Sequence, residues 1–154
     1  MYSKQESSQL RQEFWTVFGQ YMSPILSAEG EKINWINYKT GERNIHFKME
    51  THSRFASIVI ELSHPDTDTQ QIYFDQFITL KNLLSSSLEE EWNWTSNEVN
   101  NETGKIISKI FITLDGKSVL NKADWPDLIS FFKSRIIKLD QFWSSARYAF
   151  ELLH

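Results

Sequence analysis

Glu61, His64 and Asp66 stand close together in the chain, and a carboxylate three positions from an imidazole is a spacing that oxygen and nitrogen ligands can share. His46 and Lys48, on a neighbouring run, add an imidazole and an ammonium. The sequence therefore nominates His46, Lys48, Glu61, His64 and Asp66 as one ligand-binding or nucleic-acid-binding group at the end of a sheet. A structural account competes with it. His64-Pro65-Asp66 is an ordinary strand-to-helix turn, and alternating polar residues mark the outward face of a half-exposed antiparallel sheet. No catalytic residue, metal ligand or cofactor is assigned, because glycine-rich phosphate loops, nucleophile elbows and paired-histidine motifs do not occur in the chain.

Two further groups carry weaker chemistry. Lys32, Lys39, Arg43, Lys48 and Arg54 interleave with Trp35, Tyr38 and His52, as in a groove that stacks single-stranded bases, but basic residues at this density also mark solvated strand edges. Glu89-Glu90-Glu91 reads as a solvated acidic run. Trp92 and Trp94 fall on one face of an alternating segment, which makes them core or interface anchors before a ligand platform.

The elements that must position these residues follow from hydrophobic spacing. Leu10, Phe14, Val17, Phe18 and Tyr21 recur at helical intervals and predict a helix over 8–22, closed by Ser23-Pro24. Residues 1–7 are expected to fray. Short β-like runs over 33–38 and 44–50 are expected to form a hairpin through Lys39–Arg43, and a third run over 55–62 follows. With 51–54 as a loop, Ile45 pairs with Ile60, Phe47 with Ile58 and Met49 with Ala56, so every apolar side chain shares one face. The Tyr73, Phe77, Leu80, Leu84, Leu88 stripe predicts a second helix, with an aspartate of the 66–68 turn as its cap. Strands over 92–96 and 105–114 come next. Asp124-Trp125-Pro126-Asp127 then opens a long C-terminal helix with an N-cap aspartate and Pro in its first turn, and its stripe runs from Leu128 to Leu153. The fold class is α+β: a single layer of mostly antiparallel sheet, about five strands, packed against helices in the order helix, three strands, helix, two strands, helix.

With 154 residues, 40% hydrophobic and 23% charged, the chain is sized and composed as one globular domain over 1–154. Aromatic residues reach 14%, enough large rings to anchor a small core. A net charge of −4 supplies no overall field for a phosphate backbone, so nucleic acid is a partner that the charge does not favour. The absence of cysteine excludes disulfides and thiolate chemistry, and no apolar run approaches the length of a membrane span. A cytoplasmic location is expected.

A helix, three strands, a helix and a further strand is also the core order of the restriction-endonuclease-like fold. That fold places an acid at one strand end, then an acid and a lysine one residue apart on the next, to hold a metal and steady a water. Here the third strand ends Ile60-Glu61-Leu62-Ser63, with serine where the lysine belongs, and the expected register sets Glu61 opposite Asn44, away from Glu50. The pattern speaks against an active nuclease and fits a catalytically decayed relative of that fold better. More of the chain matches elsewhere. Arg11-Gln12-Glu13-Phe14-Trp15, Trp35 ahead of Lys39-Thr40-Gly41, Ile58-Val59-Ile60-Glu61-Leu62, Phe74-Asp75, Leu88-Glu89 before Trp92, and Trp125-Pro126 resemble the bacterial domain-of-unknown-function family 4268 from Arg11 to Leu153. These motifs form a fold and carry no catalysis. The resemblance implies a bacterial domain found alone or within larger, nuclease-associated or restriction-linked chains, and supplies no site residues. The expected function is a non-enzymatic binding or protein-interaction module, as a homodimer or with a protein partner; the alternative is a nucleic-acid-binding accessory domain or a catalytically decayed relative of the restriction-endonuclease-like fold.

Overall fold

The computed structural model describes residues 2–154. Helix α1 (Lys4–Met22) begins earlier than its apolar stripe, because Ser3 caps it with its hydroxyl accepting from the Glu6 amide at 3.1 Å. The helix thus starts at Lys4, inside the stretch 1–7 where fraying was expected. Phe14, Phe18 and Met22 lie buried on its inner side.

Strands β1 (Ile45–Thr51) and β2 (Phe55–Leu62) form an antiparallel hairpin, but two residues out of the expected register. Ile45 faces Leu62, Phe47 faces Ile60 and Met49 faces Ile58. The cause is a turn centred one residue further along: His52 donates to the Phe55 carbonyl at 2.9 Å, so the chain reverses at Ser53 and Arg54 and not about the middle of 51–54. A shift of two keeps every side chain on its expected face, which is why the pattern could not distinguish the two registers.

Helix α2 (Thr67–Thr79) starts at Asp66 and breaks at Leu80 before α3 (Lys81–Leu88), which ends on Glu89 in the left-handed conformation. Strands β3 (Asn93–Val99) and β4 (Ile106–Asp115) form the second hairpin, with β3 bulged between Thr95 and Glu98. A short 3₁₀ turn, Lys122–Asp124, leads into α4 (Trp125–Ala146), and α5 (Tyr148–Glu151) follows a break at Arg147, where a single long helix was expected. Asp124 does not cap α4 with its side chain; its carboxylate turns back to accept from the Ser118 amide at 2.9 Å.

The sheet has four strands in the order β1-β2-β4-β3, all antiparallel. The fifth expected strand, 33–38, is irregular, and so is everything from Ser23 to Asn44. Local chemistry overrides its alternation. Asn34 folds its side-chain oxygen onto the amides of Ile36 and Asn37, both at 3.1 Å, and the Trp35 indole donates to the Ile25 carbonyl at 2.9 Å.

Ile58, Ile60, Leu62 and Ile110 from the sheet share one core with Phe77, Phe132, Leu139, Trp143 and Phe150 from the helices. Val59 and Ile107 are buried but stand outside that core, on the opposite sheet face. Gln70, with no exposed surface, ties α2 to the sheet: its amide donates to the carbonyls of His64 and Ile106 at 3.1 and 3.0 Å, and its oxygen accepts from Ser108 Oγ at 2.7 Å. Glu90 is not a solvated member of an acidic run. It takes the forked guanidinium of Arg135 at 2.8 and 3.0 Å and the Trp92 indole at 3.0 Å.

Candidate functional site

The five residues nominated from the sequence separate into three settings. Lys48 and Glu61 meet on the outward sheet face, with Nζ 2.7 Å from Oε2. Glu61 has His46 as its cross-strand neighbour on one side and Lys109 on the other. His46 itself lies 3.2 Å from the Ser63 hydroxyl. A small cleft of about 240 Å³ lies over this face, where Glu50, Glu61, Glu98 and Lys109 surround Val59 and Ile107. One ion pair lies within its lining, Lys109 to Glu98 at 3.4 Å, while Glu61 is taken by Lys48.

His64 leaves this group. It is 6% exposed and packs against the Tyr73 ring at 4.3 Å, with neither ring nitrogen hydrogen-bonded. Burial, and then the nearby His46, hold its pKa below the ordinary imidazole value. Asp66 is the α2 cap: its Oδ2 accepts from the Thr69 hydroxyl at 2.6 Å and the Thr69 amide at 3.3 Å, and these bonds hold its carboxyl below its usual range. Among the described residues no group of three or more His, Asp or Glu is placed to hold a metal ion.

The best-formed concavity is elsewhere, between the irregular 23–44 segment and the C-terminal end of α4. It encloses about 380 Å³ and is lined by Ser27, Glu29, Glu31, Asn34, Asn37, Tyr38, Lys39, Asp140, Ser144 and Arg147. Asp140 organises it. This carboxylate is 5% exposed, accepting from the Tyr38 hydroxyl at 2.6 Å and the Ala28 amide at 2.7 Å. Burial first, and then this bond to Asp140, push the Tyr38 hydroxyl far above the ordinary phenol range, so the proton stays on the tyrosine. Tyr38 in turn stacks on Phe47 of β1 at 5.2 Å.

One turn further along α4, the Trp143 indole donates to the Thr40 carbonyl at 2.7 Å. The Thr40 hydroxyl closes the segment by donating to the Ile45 carbonyl at 2.8 Å. A loop too long to be a mere connection is thus held at its beginning, middle and end by side chains of one rigid helix and the first strand. At the mouth of the cleft Arg147 Nη2 meets Glu29 Oε1 at 2.9 Å.

Of these residues only Tyr38 was named from the sequence, as one aromatic of a basic groove for single-stranded bases; Asp140, Glu29 and Arg147 were not nominated. One signal was available. Asp140 lies four residues after Ile136 and three before Trp143, so a carboxylate sits on the apolar stripe of the longest helix and must have partners there.

Together these features define an α+β domain in which one helix-backed antiparallel sheet carries a loop-framed polar cleft. The chain belongs to the family described as domain of unknown function 4268, whose model matches residues 10–147. That span takes in every residue lining the cleft. Comparison with curated proteins and with solved structures returned no match. No helix among the described residues is long and apolar enough to cross a membrane.

Proposed function

We propose that the chain is a non-enzymatic binding module whose ligand is a small polar molecule seated between the 23–44 segment and α4. The observation that carries this reading is the Asp140 clamp. A buried carboxylate holds two points of an irregular loop against a helix, and the space so framed is left open, with unpaired polar groups facing it. Its volume of about 380 Å³ lies in the range of small-molecule sites, roughly 300–1,000 Å³. Asn37, Lys39 and Ser144 supply orienting donors, and Glu31 an acceptor, on a floor made partly of Ile33 and Trp143.

The test is a fragment screen followed in amide nitrogen–proton NMR spectra. Bound fragments are expected to shift resonances of residues 27–40 and 140–147 together, and Ser144→Trp, which fills the cleft from the half-exposed side of α4, is expected to abolish those shifts. Shifts centred on the outward sheet face, or surviving in Ser144→Trp, would refute the reading.

A further inference from the structure

Among the described residues two arginines stand in ion pairs of very different completeness. Arg135 is saturated: Nε and Nη2 fork onto both oxygens of Glu90, and Nη1 donates to the Phe131 carbonyl at 3.2 Å. Arg147 is not. Nη2 alone is engaged, by Glu29 at 2.9 Å and the Tyr148 hydroxyl at 3.1 Å. Its Nε is buried with no acceptor, and no bond from Nη1 is formed among the described residues. A guanidinium recognises a carboxylate best through two parallel N–H···O bonds, and an unpaired buried N–H is a standing penalty. Glu29 meets the fork with one oxygen only, from a half-exposed position at the tip of a turn.

That turn explains the mismatch. The Ala28 amide is fixed to Asp140 at 2.7 Å, and the Ser27 hydroxyl accepts from the Glu31 amide at 3.1 Å, so the backbone on both sides of Glu29 is held by other bonds. Glu29 reaches Arg147 with a single oxygen from this anchored turn. We propose that Arg147 is the seat for the carboxylate of a small ligand, and that Glu29 is a resident stand-in which this ligand displaces. The proposal rests on the cleft being a ligand site and names the chemistry of what enters it.

Charge selects among anions. Without Glu29 the charged lining is Lys39 and Arg147 together with Glu31 and Asp140, two of each sign. It offers no positive excess to a polyphosphate or a nucleic-acid backbone. A single carboxylate on an otherwise neutral or zwitterionic molecule fits, with the Asn37 side chain and the side-chain NH2 of Asn34 left to bond its remaining polar groups.

The experiment titrates the whole chain with N-acetylglycine, and separately with inorganic phosphate at matched ionic strength, while observing the Arg147 Nε–H resonance. A saturable shift with N-acetylglycine is expected, tightening about tenfold in Glu29→Ala as the competing charge-assisted bond is removed. It is expected to be lost in Arg147→Lys, which keeps the charge but not the fork, and phosphate is expected to give a weaker response. Unchanged affinity in Glu29→Ala, retention in Arg147→Lys, or equal drift with both anions would overturn the proposal. The two readings fail separately. If fragments bind the cleft while the Arg147 Nε–H does not respond to N-acetylglycine even in Glu29→Ala, the site stands and the carboxylate seat falls.

Discussion

Asp140→Ala is the perturbation from which the most can be learned, because it tests whether the cleft is held open by one carboxylate. Two bonds to a buried charge disappear, those from the Tyr38 hydroxyl and the Ala28 amide. Each such bond is worth about 1.5–3 kcal/mol, but removing the carboxylate also removes the penalty of keeping it out of water, so the net loss is about 2–4 kcal/mol. Tyr38→Phe removes only one of the two and is expected to lose about 1–2 kcal/mol. In the Asp140→Ala background the same Tyr38 change should be nearly silent, giving a coupling of about 1–2 kcal/mol. Urea unfolding of the four proteins measures these terms. Amide hydrogen exchange then locates them: the 23–44 segment has no ladder of its own, so protection should fall between Ala28 and Tyr38 while β2 and β4 keep theirs. An Asp140→Ala protein within about 0.5 kcal/mol of the parent, or a Tyr38→Phe effect of the same size in both backgrounds, would refute the reasoning.

Two other expectations concern the corner between β2 and α2. Because His64 has its pKa lowered by burial, the folded chain takes up this proton at lower pH than the unfolded chain, whose imidazole titrates near 6.5. Its stabilising contribution is therefore complete above that value and is lost as pH falls through the folded value; His64→Phe, which can keep the stacking on Tyr73, should flatten the urea midpoint between about pH 7 and 5, and an unchanged slope contradicts this. Gln70→Leu removes the donor to the His64 and Ile106 carbonyls and the acceptor of the Ser108 hydroxyl proton, leaving that hydroxyl only the Asn97 amide at 3.3 Å, and should lower stability by about 2–5 kcal/mol. Adding Ser108→Ala should recover part of it in thermal melts, and a Gln70→Leu midpoint equal to the parent's would show that the network does not bear on stability.

What the amino-acid order made legible was whatever depends on period and on facing. Ile58, Ile60 and Leu62 alternate, Ile110, Ile112 and Leu114 alternate, and the stripe from Leu128 to Phe150 repeats at helical spacing; all of these face the core as expected. Ile33 to Tyr38 misled because its alternation is real but its backbone is claimed by Asn34 and by the Trp35 indole, interactions that no periodicity reports. Glu90 misled for a different reason. Its partner Arg135 is 45 positions away, and nothing local distinguishes a paired glutamate from a solvated one. The cleft was invisible for the same cause on a larger scale, since Ala28 and Tyr38 meet Asp140 across separations of 112 and 102 residues. The nominated polar residues were read as converging because they are close in sequence. Alternation sends Glu61 to one side of the sheet, whereas His64, past the strand end, turns to the other against Tyr73.

The pairing of β2 with β4 runs from Phe55 opposite Asp115 to Leu62 opposite Ser108 without a shift, and it is the seam that joins the two hairpins. A slip of one residue along it would swing Ile110, Ile112 and Leu114 into water and press Lys109 and Thr113 against the helices. The seam thus acts like a reading frame for the whole layer. A residue gained or lost in the exposed turn around Asn101 to Gly104 leaves the frame intact, whereas a single deletion between Ile107 and Leu114 would scramble one entire half of the molecule.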